Sequence, residues 1–283
     1  MNIPSILICP ECKSPLDDDL HCTACPAQYS YKWGVYNIVS QNISANQTIY
    51  WNYSDEQIVE TAPAAQPSNA ETPDWVREYY SLLSPETIAA ERLHNEYMNE
   101  LIKSMTGTVC DLATGMGGNL SRLLDSPTKD FQIVCTDISD RVLAMTRKTQ
   151  RTDDTRVQYI ATDGRCMSVK DGCFDYITSL AAFGNIPESD KVAKELYRIL
   201  KSGGKLIIQG LYIDKDSKSF ELAKSIELEK GMVEEYLIAE LKNAGFGNVE
   251  SIVVAKAIWA ENKYDMLPVA GDMKYFCVIQ AMK

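Results

Sequence analysis

Long apolar runs are missing from this chain of 283 residues. No stretch approaches the roughly 20 consecutive apolar residues that a membrane-spanning helix needs, so no membrane partner is expected. The opening sequence MNIPSILICPEC lacks a basic region and an apolar core ahead of a small-residue cleavage site. It therefore does not resemble a signal peptide, and we expect a cytoplasmic location.

Histidine is scarce, and the cysteines do not suggest disulfides. The only histidines are His21 and His94, which leaves few candidates for a proton-transfer role at neutral pH. The nine cysteines are an odd number in a chain without an export signal, which argues against a disulfide framework. Four of them form two CxxC pairs near the N-terminus, and the other five are scattered singly.

Basic residues are few in one part of the chain. The net charge is −11, and residues 41–105 hold ten acids against three bases, a net of −7. Residues 1–40 add −2, which leaves −2 for the rest. Acidic groups repel a phosphate backbone, so a nucleic-acid partner is less expected than a small molecule.

Four regions follow from composition and patterning. Residues 1–40 hold the CxxC pairs, and residues 41–72 are rich in Asn, Ser, Gln, Ala and Pro without a regular period, which predicts a linker or lid loop. Residues 73–105 have helical spacing, with starts at Thr72-Pro73-Asp74 and Ser84-Pro85-Glu86. Residues 106–283 form the main domain.

The main domain alternates apolar runs with helical stretches. The runs VCDLA, FQIVCTD, VQYIAT, FDYITSL and KLIIQGLYI are separated by helical patterns such as 139–150 and 187–201. This alternation predicts an α/β fold with a parallel sheet. The last two runs, SIVVAKAIWA and MKYFCVIQAMK, have only the loop 261–272 between them, which predicts a terminal antiparallel pair.

A glycine-rich turn lies between the first predicted strand and a helix. In the segment 109–120, Gly115 and Gly117 let the backbone turn tightly and approach a ligand at a helix N-terminus. A dinucleotide-binding turn would have a third glycine, but that position is Leu120. Asp111, near the strand end, suits a ligand ammonium better than a pyrophosphate.

Carboxylates follow the next two strands as well. Asp137 comes about 20 residues after the glycines, where a carboxylate can accept hydrogen bonds from both ribose hydroxyls. Asp163 follows the third strand and could accept from an adenine amino group. Each Asp alone could merely cap a helix, but all three together with the glycines favour a nucleoside-type ligand.

Residues 106–210 resemble the class I, Rossmann-like S-adenosylmethionine (SAM) methyltransferases of the methyltransferase type 11 kind. The matching segments are VCDLATGMGG, CTDIS, TDGRCMSVKDGCFDYI and SLAAFGNIPESDKVAKELYRILKSGGKLII, with Ser202 where the family usually has Pro. The resemblance implies a mostly parallel seven-stranded sheet ending in an antiparallel hairpin, and SAM as cofactor. It also implies a cofactor-binding set, namely Asp111 and Gly115 beside methionine, Asp137 at ribose, Asp163 and Gly164 at adenine, and Ala113, Gly117, Ile138 and Leu180 nearby.

The two CxxC pairs predict a metal site. Cys9, Cys12, Cys22 and Cys25 supply four thiolates at a spacing suited to tetrahedral zinc, which would stabilise a module too small for its own core. A redox pair or a disulfide scaffold is the alternative. Residues 6–39 also resemble the zinc module of bacterial 23S rRNA guanine-N1 methyltransferases, although that family has His where Cys25 stands.

Candidates for acceptor chemistry are Asn185 and His94. Asn185 follows the fourth strand in the family's substrate-facing position and could orient an acceptor atom. His94 lies on the helix 86–105 and could act as a base, although a position beside the core is the commoner role.

Three hypotheses about function remain open. We expect methyl transfer to an oxygen or nitrogen atom of a neutral or cationic small molecule. The alternatives are an rRNA guanine-N1 methyltransferase that uses the zinc module, and a non-catalytic SAM- or zinc-binding interaction protein. One basic cluster, around Arg141, Arg147, Lys148, Arg151 and Arg156, is interpreted as a solvated face.

Overall fold

The protein has a single mixed sheet with helices on both faces. Its structure, a computed structural model, describes residues 2–40, 53–61, 74–150 and 154–283. The strands are β1 Ser30–Lys32, β2 Val35–Asn37, β3 Gly107–Leu112, β4 Phe131–Asp137, β5 Val157–Ala161, β6 Phe174–Leu180, β7 Leu200–Tyr212, β8 Gly247–Ile258 and β9 Met273–Met282. The α-helices are α1 Asp55–Glu60, α2 Asp74–Ser81, α3 Pro85–Ile102, α4 Gly118–Asp125, α5 Asp140–Thr149, α6 Ser189–Ile199, α7 Lys218–Ser225, α8 Glu229–Met232 and α9 Glu234–Ala244. Two short 3-10 helices cover Pro4–Ile6 and Phe183–Asn185.

The sheet has the order β1-β2-β5-β4-β3-β6-β7-β9-β8. Strands β5, β4, β3, β6 and β7 run parallel, and β9 pairs antiparallel with both β7 and β8. The predicted α/β class and the terminal antiparallel pair are confirmed. Alternate residues of one strand enter two different apolar clusters: Ile133 joins the cluster with α3 and α4, and Val134 joins the cluster with α6 and α9. Successive side chains of a strand point to opposite faces, so the two clusters cover the two faces of the sheet.

The predicted count of seven strands is too low. The described sheet has nine, because β1 and β2 belong to residues 1–40 and extend it beyond β5. Strand β2 pairs parallel with β5, Tyr36 beside Ile160 and Asn37 beside Ala161. Parallel pairing places the short strand on an edge whose backbone groups would otherwise lack partners.

Residues 1–40, the N-terminal module, also contact the loop after β5. The Ile8 amide donates to the Ser168 carbonyl at 2.9 Å, and the Ser168 hydroxyl donates to the Ile38 carbonyl at 2.5 Å. Leu7 and Ile38 are buried in the same apolar cluster as α6 and α9. The module is therefore part of the main core.

The expected linker contains a helix. Helix α1 lies within residues 41–72, so the prediction of an irregular segment is wrong there, while residues 41–52 and 62–72 lie outside the described residues. The local cause is a capping box: the Gln57 amide donates to Ser54 Oγ at 3.2 Å, and the Ser54 amide donates to Gln57 Oε1 at 2.8 Å. Ile58 is fully buried, which anchors the short helix.

No helix within the described ranges combines the length and the apolarity that crossing a membrane requires.

Candidate functional site

The glycine turn, residues 113–118, joins β3 to α4 at the carboxyl edge of the sheet. The Thr114 amide donates to the Thr136 carbonyl of β4 at 2.7 Å, which fixes the start of the turn. Gly117 is the residue before α4 and has φ +84°. A Cβ atom at Gly117 would lie 2.8 Å from Thr146 Cγ2, so both the backbone angle and the space require glycine.

Asp111 lies beneath the turn and is fully buried. Its Oδ1 accepts from Asn119 Nδ2 at 2.6 Å, and its Oδ2 has no hydrogen-bond partner among the described residues. Burial, the largest effect, raises the pKa of this carboxyl to about 6. A buried carboxylate oxygen without a donor fits a position where a cationic ligand group completes the site.

Asp137, at the end of β4, is held by backbone amides. Gly115 N–H donates to its Oδ2 at 3.0 Å, and Ser139 N–H donates to its Oδ1 at 3.0 Å. Burial raises the pKa of the carboxyl, while these amide bonds lower it. The first bond connects the glycine turn with the carboxylate, so the two predicted features form one unit.

Asp163 is paired with Arg165, which was not predicted as a site residue from the sequence. Arg165 donates from Nη2 to Asp163 Oδ2 at 2.9 Å and from its backbone amide to Oδ1 at 2.9 Å. Arg165 also contacts Glu188 at 2.8 Å, and these acids raise the pKa of its guanidinium. An adenine amino group would therefore share the Asp163 carboxylate with Arg165.

A first cavity of about 710 Å³ lies at the carboxyl ends of β3, β4 and β5. Its walls include five of the predicted cofactor residues, namely Ala113, Asp137, Ile138, Asp163 and Gly164. The volume is that of a typical small-ligand site. The other four predicted cofactor residues do not line this cavity, namely Asp111, Gly115, Gly117 and Leu180.

A second cavity of about 640 Å³ adjoins the first. The two cavities share Asn185, Leu228 and Met266. The second is lined from α2, α3, β9 and the loop before β9, and Leu180 lies there rather than in the first. Tyr79, Tyr80, Tyr264 and Phe276 give this cavity an aromatic wall.

Asn185, predicted to orient an acceptor atom, lines both cavities. Its Nδ2 donates to the Ala181 carbonyl at 2.8 Å. Its Oδ1 makes no hydrogen bond within the described ranges, which leaves an acceptor atom pointing away from that anchor.

His94 lines the second cavity but is buried and already engaged. Its Nε2 lies 2.7 Å from the Cys277 carbonyl, and its ring packs edge-on against Phe276 with centroids 5.6 Å apart. Burial lowers the pKa of the imidazole to about 4. The ring is therefore neutral near pH 7, and the carbonyl requires the Nε2–H tautomer, so His94 is a weak base.

The four cysteines of the two CxxC pairs converge. The sulfur atoms of Cys9, Cys12, Cys22 and Cys25 all lie within 4.8 Å of one another. Cys9 and Cys25 are 3.7 Å apart, and Cys12 and Cys22 are 3.4 Å apart. Tetrahedral zinc with bonds of about 2.3 Å has sulfur–sulfur edges of about 3.8 Å, so the donor set fits zinc.

The basic cluster faces acidic and carbonyl partners within the chain. Arg141 pairs with Asp55 at 2.6 Å, and Lys148 donates to the Val59 and Thr61 carbonyls at 3.1 Å and 3.0 Å. Arg156 pairs with Asp154, while Arg151 lies outside the described residues. The bonds of Arg141 and Lys148 hold α1 against α5, so the acids of α1 pack on the helix layer and do not line either cavity.

The sequence model of the ubiE/COQ5 methyltransferase family matches residues 87–215. The matched segment runs from α3 into the loop after β7 and so contains the glycine turn and all three predicted carboxylates. It does not include the N-terminal module.

Curated relatives match part of the chain. A demethylmenaquinone methyltransferase of Thermus thermophilus is 31% identical over 100 residues, which is 35% of this chain and 45% of that protein. Phosphoethanolamine N-methyltransferase 2 of Caenorhabditis elegans is 29% identical over 150 residues, 51% of this chain and 33% of that protein. The ubiquinone/menaquinone C-methyltransferase UbiE of Klebsiella pneumoniae is 26% identical over 171 residues, 50% of this chain and 67% of that protein. The matches thus span between one third and two thirds of these relatives.

Solved structures share the fold. The Haemonchus contortus phosphoethanolamine N-methyltransferase 2, in complex with phosphomonomethylethanolamine and S-adenosylhomocysteine, aligns with a TM-score of 0.51 and 19% identity over 66% of this chain and 52% of that chain. The YcgJ protein of Bacillus subtilis aligns with a TM-score of 0.51 and 13% identity over 68% of this chain and 98% of that chain. At these identities the likeness establishes the Rossmann-like fold alone.

The match of residues 87–215 to this family model and the names of the relatives support the prediction of a methyltransferase. The comparisons support neither the rRNA alternative nor the non-catalytic alternative. The family match does not reach Cys9, Cys12, Cys22 and Cys25, so zinc binding stays a prediction.

Proposed function

We propose that the protein is a SAM-dependent methyltransferase that binds SAM in the first cavity and a small-molecule acceptor in the second. The observation that carries this proposal is the contact between the two cavities, which share Asn185, Leu228 and Met266. Methyl transfer is an in-line displacement and needs the donor and the acceptor in adjoining spaces from which water is excluded.

The residues around the first cavity fit SAM. Asp137 would accept from the ribose hydroxyls, and Ile138 and Gly164 would flank the adenine beside the Asp163–Arg165 pair. The methionine end would lie at the glycine turn, where a Cβ atom on Gly115 would meet no atom closer than 4.0 Å. The unpartnered Oδ2 of Asp111 supplies negative charge on that side.

Bound SAM would supply a methyl group activated by its positively charged sulfur, and S-adenosylhomocysteine would leave as the methyl group passes to the acceptor. An acceptor that starts protonated would also release a proton. The chain's contribution would be positioning: Asn185, which lines both cavities, would orient the acceptor. His94 contributes a wall, because its pKa of about 4 makes it a poor proton acceptor.

The class of acceptor is a small molecule. The relatives support this proposal, because their names refer to menaquinone, ubiquinone and phosphoethanolamine. One relative is named a C-methyltransferase and another an N-methyltransferase, so the predicted oxygen or nitrogen acceptor atom is not decided by likeness.

We also propose that Cys9, Cys12, Cys22 and Cys25 hold a structural zinc ion. The convergence of four sulfur atoms supports this assignment. A site with four protein ligands has no open position, so the ion would stabilise the N-terminal module rather than take part in chemistry.

Isothermal titration calorimetry with S-adenosylhomocysteine tests the cofactor site. We expect binding by the unaltered protein and a loss of about 1–3 kcal/mol in Asp137→Ala, because the ribose would lose hydrogen bonds to a charged group. Asp190→Ala removes an acid on α6 that faces solvent and pairs with Lys194, and it should bind as the unaltered protein does. Unchanged affinity in Asp137→Ala would show that the ribose assignment is wrong.

Transfer of a tritiated methyl group distinguishes the acceptor classes. We expect no transfer to unmodified 23S RNA at physiological salt above the level of an Asp111→Ala control. An RNA-binding enzyme neutralises phosphates and shows a steep salt dependence, whereas the segment 41–105 carries a net charge of −7. Labelled RNA above that control would replace the small-molecule proposal with the RNA alternative.

A further inference from the structure

Lys274 stands out in the second cavity as a buried cation without a hydrogen-bond partner. It lies on β9, and only 9% of the residue is exposed. Its Nζ is 3.9 Å from the Trp259 ring centroid and 4.8 Å from that of Phe276. Within the described ranges it forms neither a hydrogen bond nor an ion pair. Ring faces attract the charge, but they leave the three N–H donors unused.

The other charged groups that face Lys274 do not satisfy it. Glu91 of α3 and Asp265 of the loop before β9 are close enough to raise its pKa, although burial, the larger effect, lowers it. Neither acid forms a direct ion pair with Lys274. Asp265 instead accepts from the Tyr79 hydroxyl at 3.0 Å. These three charges therefore border a common space without touching one another.

The remaining cations of the cavity are already bound. Arg122 donates to Asn95 Oδ1 at 2.6 Å and also to Gln209, and Lys263 pairs with Glu78. Lys274 is thus the cation of this cavity, among the residues that the structure describes, whose N–H groups have no protein acceptor. A buried ammonium in an aromatic wall is costly unless an oxygen atom completes its hydrogen bonds.

We propose that Lys274 is the residue that selects the methyl acceptor, and that the acceptor is an organic anion whose charged oxygen binds the Lys274 ammonium. The aromatic wall would hold the apolar body of this molecule, and Asn185 would orient its reactive atom at the boundary with the first cavity. The inference rests on the proposed function, since it takes the second cavity as the acceptor site. It replaces the expectation of a neutral or cationic acceptor, because local charge decides what a cavity binds.

Glu91 provides the competing interpretation and the matched control. It lines the same cavity, and no hydrogen bond or ion pair within the described ranges involves its carboxylate. Burial raises its pKa. Glu91 is partly exposed, so water can reach it, whereas Lys274 is buried. If the cavity selected cations, Glu91 rather than Lys274 would control binding.

Three probes of one shape separate these interpretations: naphthalene carboxylate, its carboxamide and the corresponding aminomethyl compound. Each is titrated into the full-length protein saturated with S-adenosylhomocysteine, and binding is followed by ligand-observed NMR. We expect the carboxylate to bind at least about tenfold more tightly than the carboxamide, as for a hydrogen bond to a charged group.

Variants assign the preference to a residue. Lys274→Met keeps the side-chain length and should lose the carboxylate preference, while Lys274→Arg, which restores a cation, should keep it. Glu91→Gln should keep or increase it. Equal carboxylate binding in Lys274→Met, or a preference for the amine that Glu91→Gln abolishes, would overturn the proposal.

Binding of S-adenosylhomocysteine serves as an independent readout. Each variant should bind S-adenosylhomocysteine as the unaltered protein does, which shows that it is folded. Failure of the unaltered protein to bind S-adenosylhomocysteine would contradict the proposed function, and the probe titrations are therefore repeated without it. A protein that shows no carboxylate preference under either condition would overturn the role of Lys274 while leaving the cofactor site intact.

Discussion

The proposed ligand role of Asp111 would come at the expense of the stability of the free protein. It is fully buried, with one oxygen bonded to Asn119 and the other without a partner. Its pKa, raised to about 6 by burial, means that the native state holds the proton more tightly than the unfolded state. This residue therefore contributes most stability below the unfolded pKa near 4, and that contribution is lost as the pH rises towards 6.

Replacing Asp111 by Asn should therefore stabilise the free protein and weaken its ligand binding. The raised pKa of Asp111, about 6, corresponds to a penalty on the order of 2–3 kcal/mol above about pH 6, which the amide does not carry. In urea unfolding, Asp111→Asn should exceed the unaltered protein in the free energy of unfolding at about pH 7.5 and not at about pH 4. S-adenosylhomocysteine should bind less tightly. A variant that is less stable at the higher pH, or binds equally well, would contradict this account.

Site residues that stand at the end of a strand could be predicted from the sequence. Asp137 and Asp163 follow adjacent parallel strands, and both line the first cavity. Arg165 and Lys274 were missed for a different reason, since their importance arises from contacts that pairing and packing create. The sequence did indicate one feature of Lys274, because alternation along β9 places it on the same face of the sheet as Phe276.

At the scale of elements, the glycine turn needs glycine at position 117 for two reasons, the backbone angle and the lack of space for a side chain. Gly117 has φ +84°, and a Cβ atom there would lie 2.8 Å from Thr146 Cγ2. Gly172, in the loop before β6, has φ +63° with no atom within 4 Å of such a Cβ. The two glycines share the strained backbone and differ in the available space, so they form a matched pair.

We expect Gly172→Ala to lower the free energy of unfolding by about 1–2 kcal/mol through backbone strain alone. Gly117→Ala should lower the free energy of unfolding by a further ~1–3 kcal/mol, because a methyl group is forced against Thr146. Urea unfolding measures both, and only Gly117→Ala should weaken binding of S-adenosylhomocysteine. Equal losses in the two variants would show that the contact with Thr146 does not constrain the turn.

Elements with a strong local period could be predicted, and those that depend on pairing could not. Strands β3 to β7 and helices α3, α5 and α6 follow from apolar spacing and from Pro85 at a helix start. Helix α1 was missed, although Ser54 and Gln57 have the spacing of a capping box. Strands β1 and β2 are three residues each, too short for a period, and they exist because β5 pairs with β2 and β2 pairs with β1.

At the scale of the whole molecule, the proposed zinc site and the proposed cofactor site meet at one loop. The loop after β5 carries Asp163 and Gly164 on its cavity side. On its other side, the Lys170 amide donates to the Ile6 carbonyl at 2.9 Å, and Lys13 Nζ lies 3.4 Å from the Met167 carbonyl. Both bonds come from the segment that contains Cys9 and Cys12.

Loss of the metal should therefore weaken cofactor binding as well as stability. We expect one zinc per chain by elemental analysis of protein purified without chelator. Cys12→Ser should lower the free energy of unfolding by several kcal/mol, on the order expected for loss of a structural zinc, and should weaken S-adenosylhomocysteine binding several-fold. Cys166→Ser, outside the cluster, serves as the control. Absence of zinc, or unchanged affinity in a variant shown to be metal-free, would contradict the connection.

The parallel pairing of β2 with β5 has a consequence for solubility. Without the N-terminal module, β5 would be the edge of the sheet, with a row of unpaired N–H and C=O groups beside buried apolar side chains such as Ile160. Such an edge is a template for pairing with another chain. In the intact sheet that edge is β1, a strand of three exposed residues, too short to recruit a second copy. By covering β5, the module should therefore keep residues 106–283 from pairing edge to edge with a second copy of the chain.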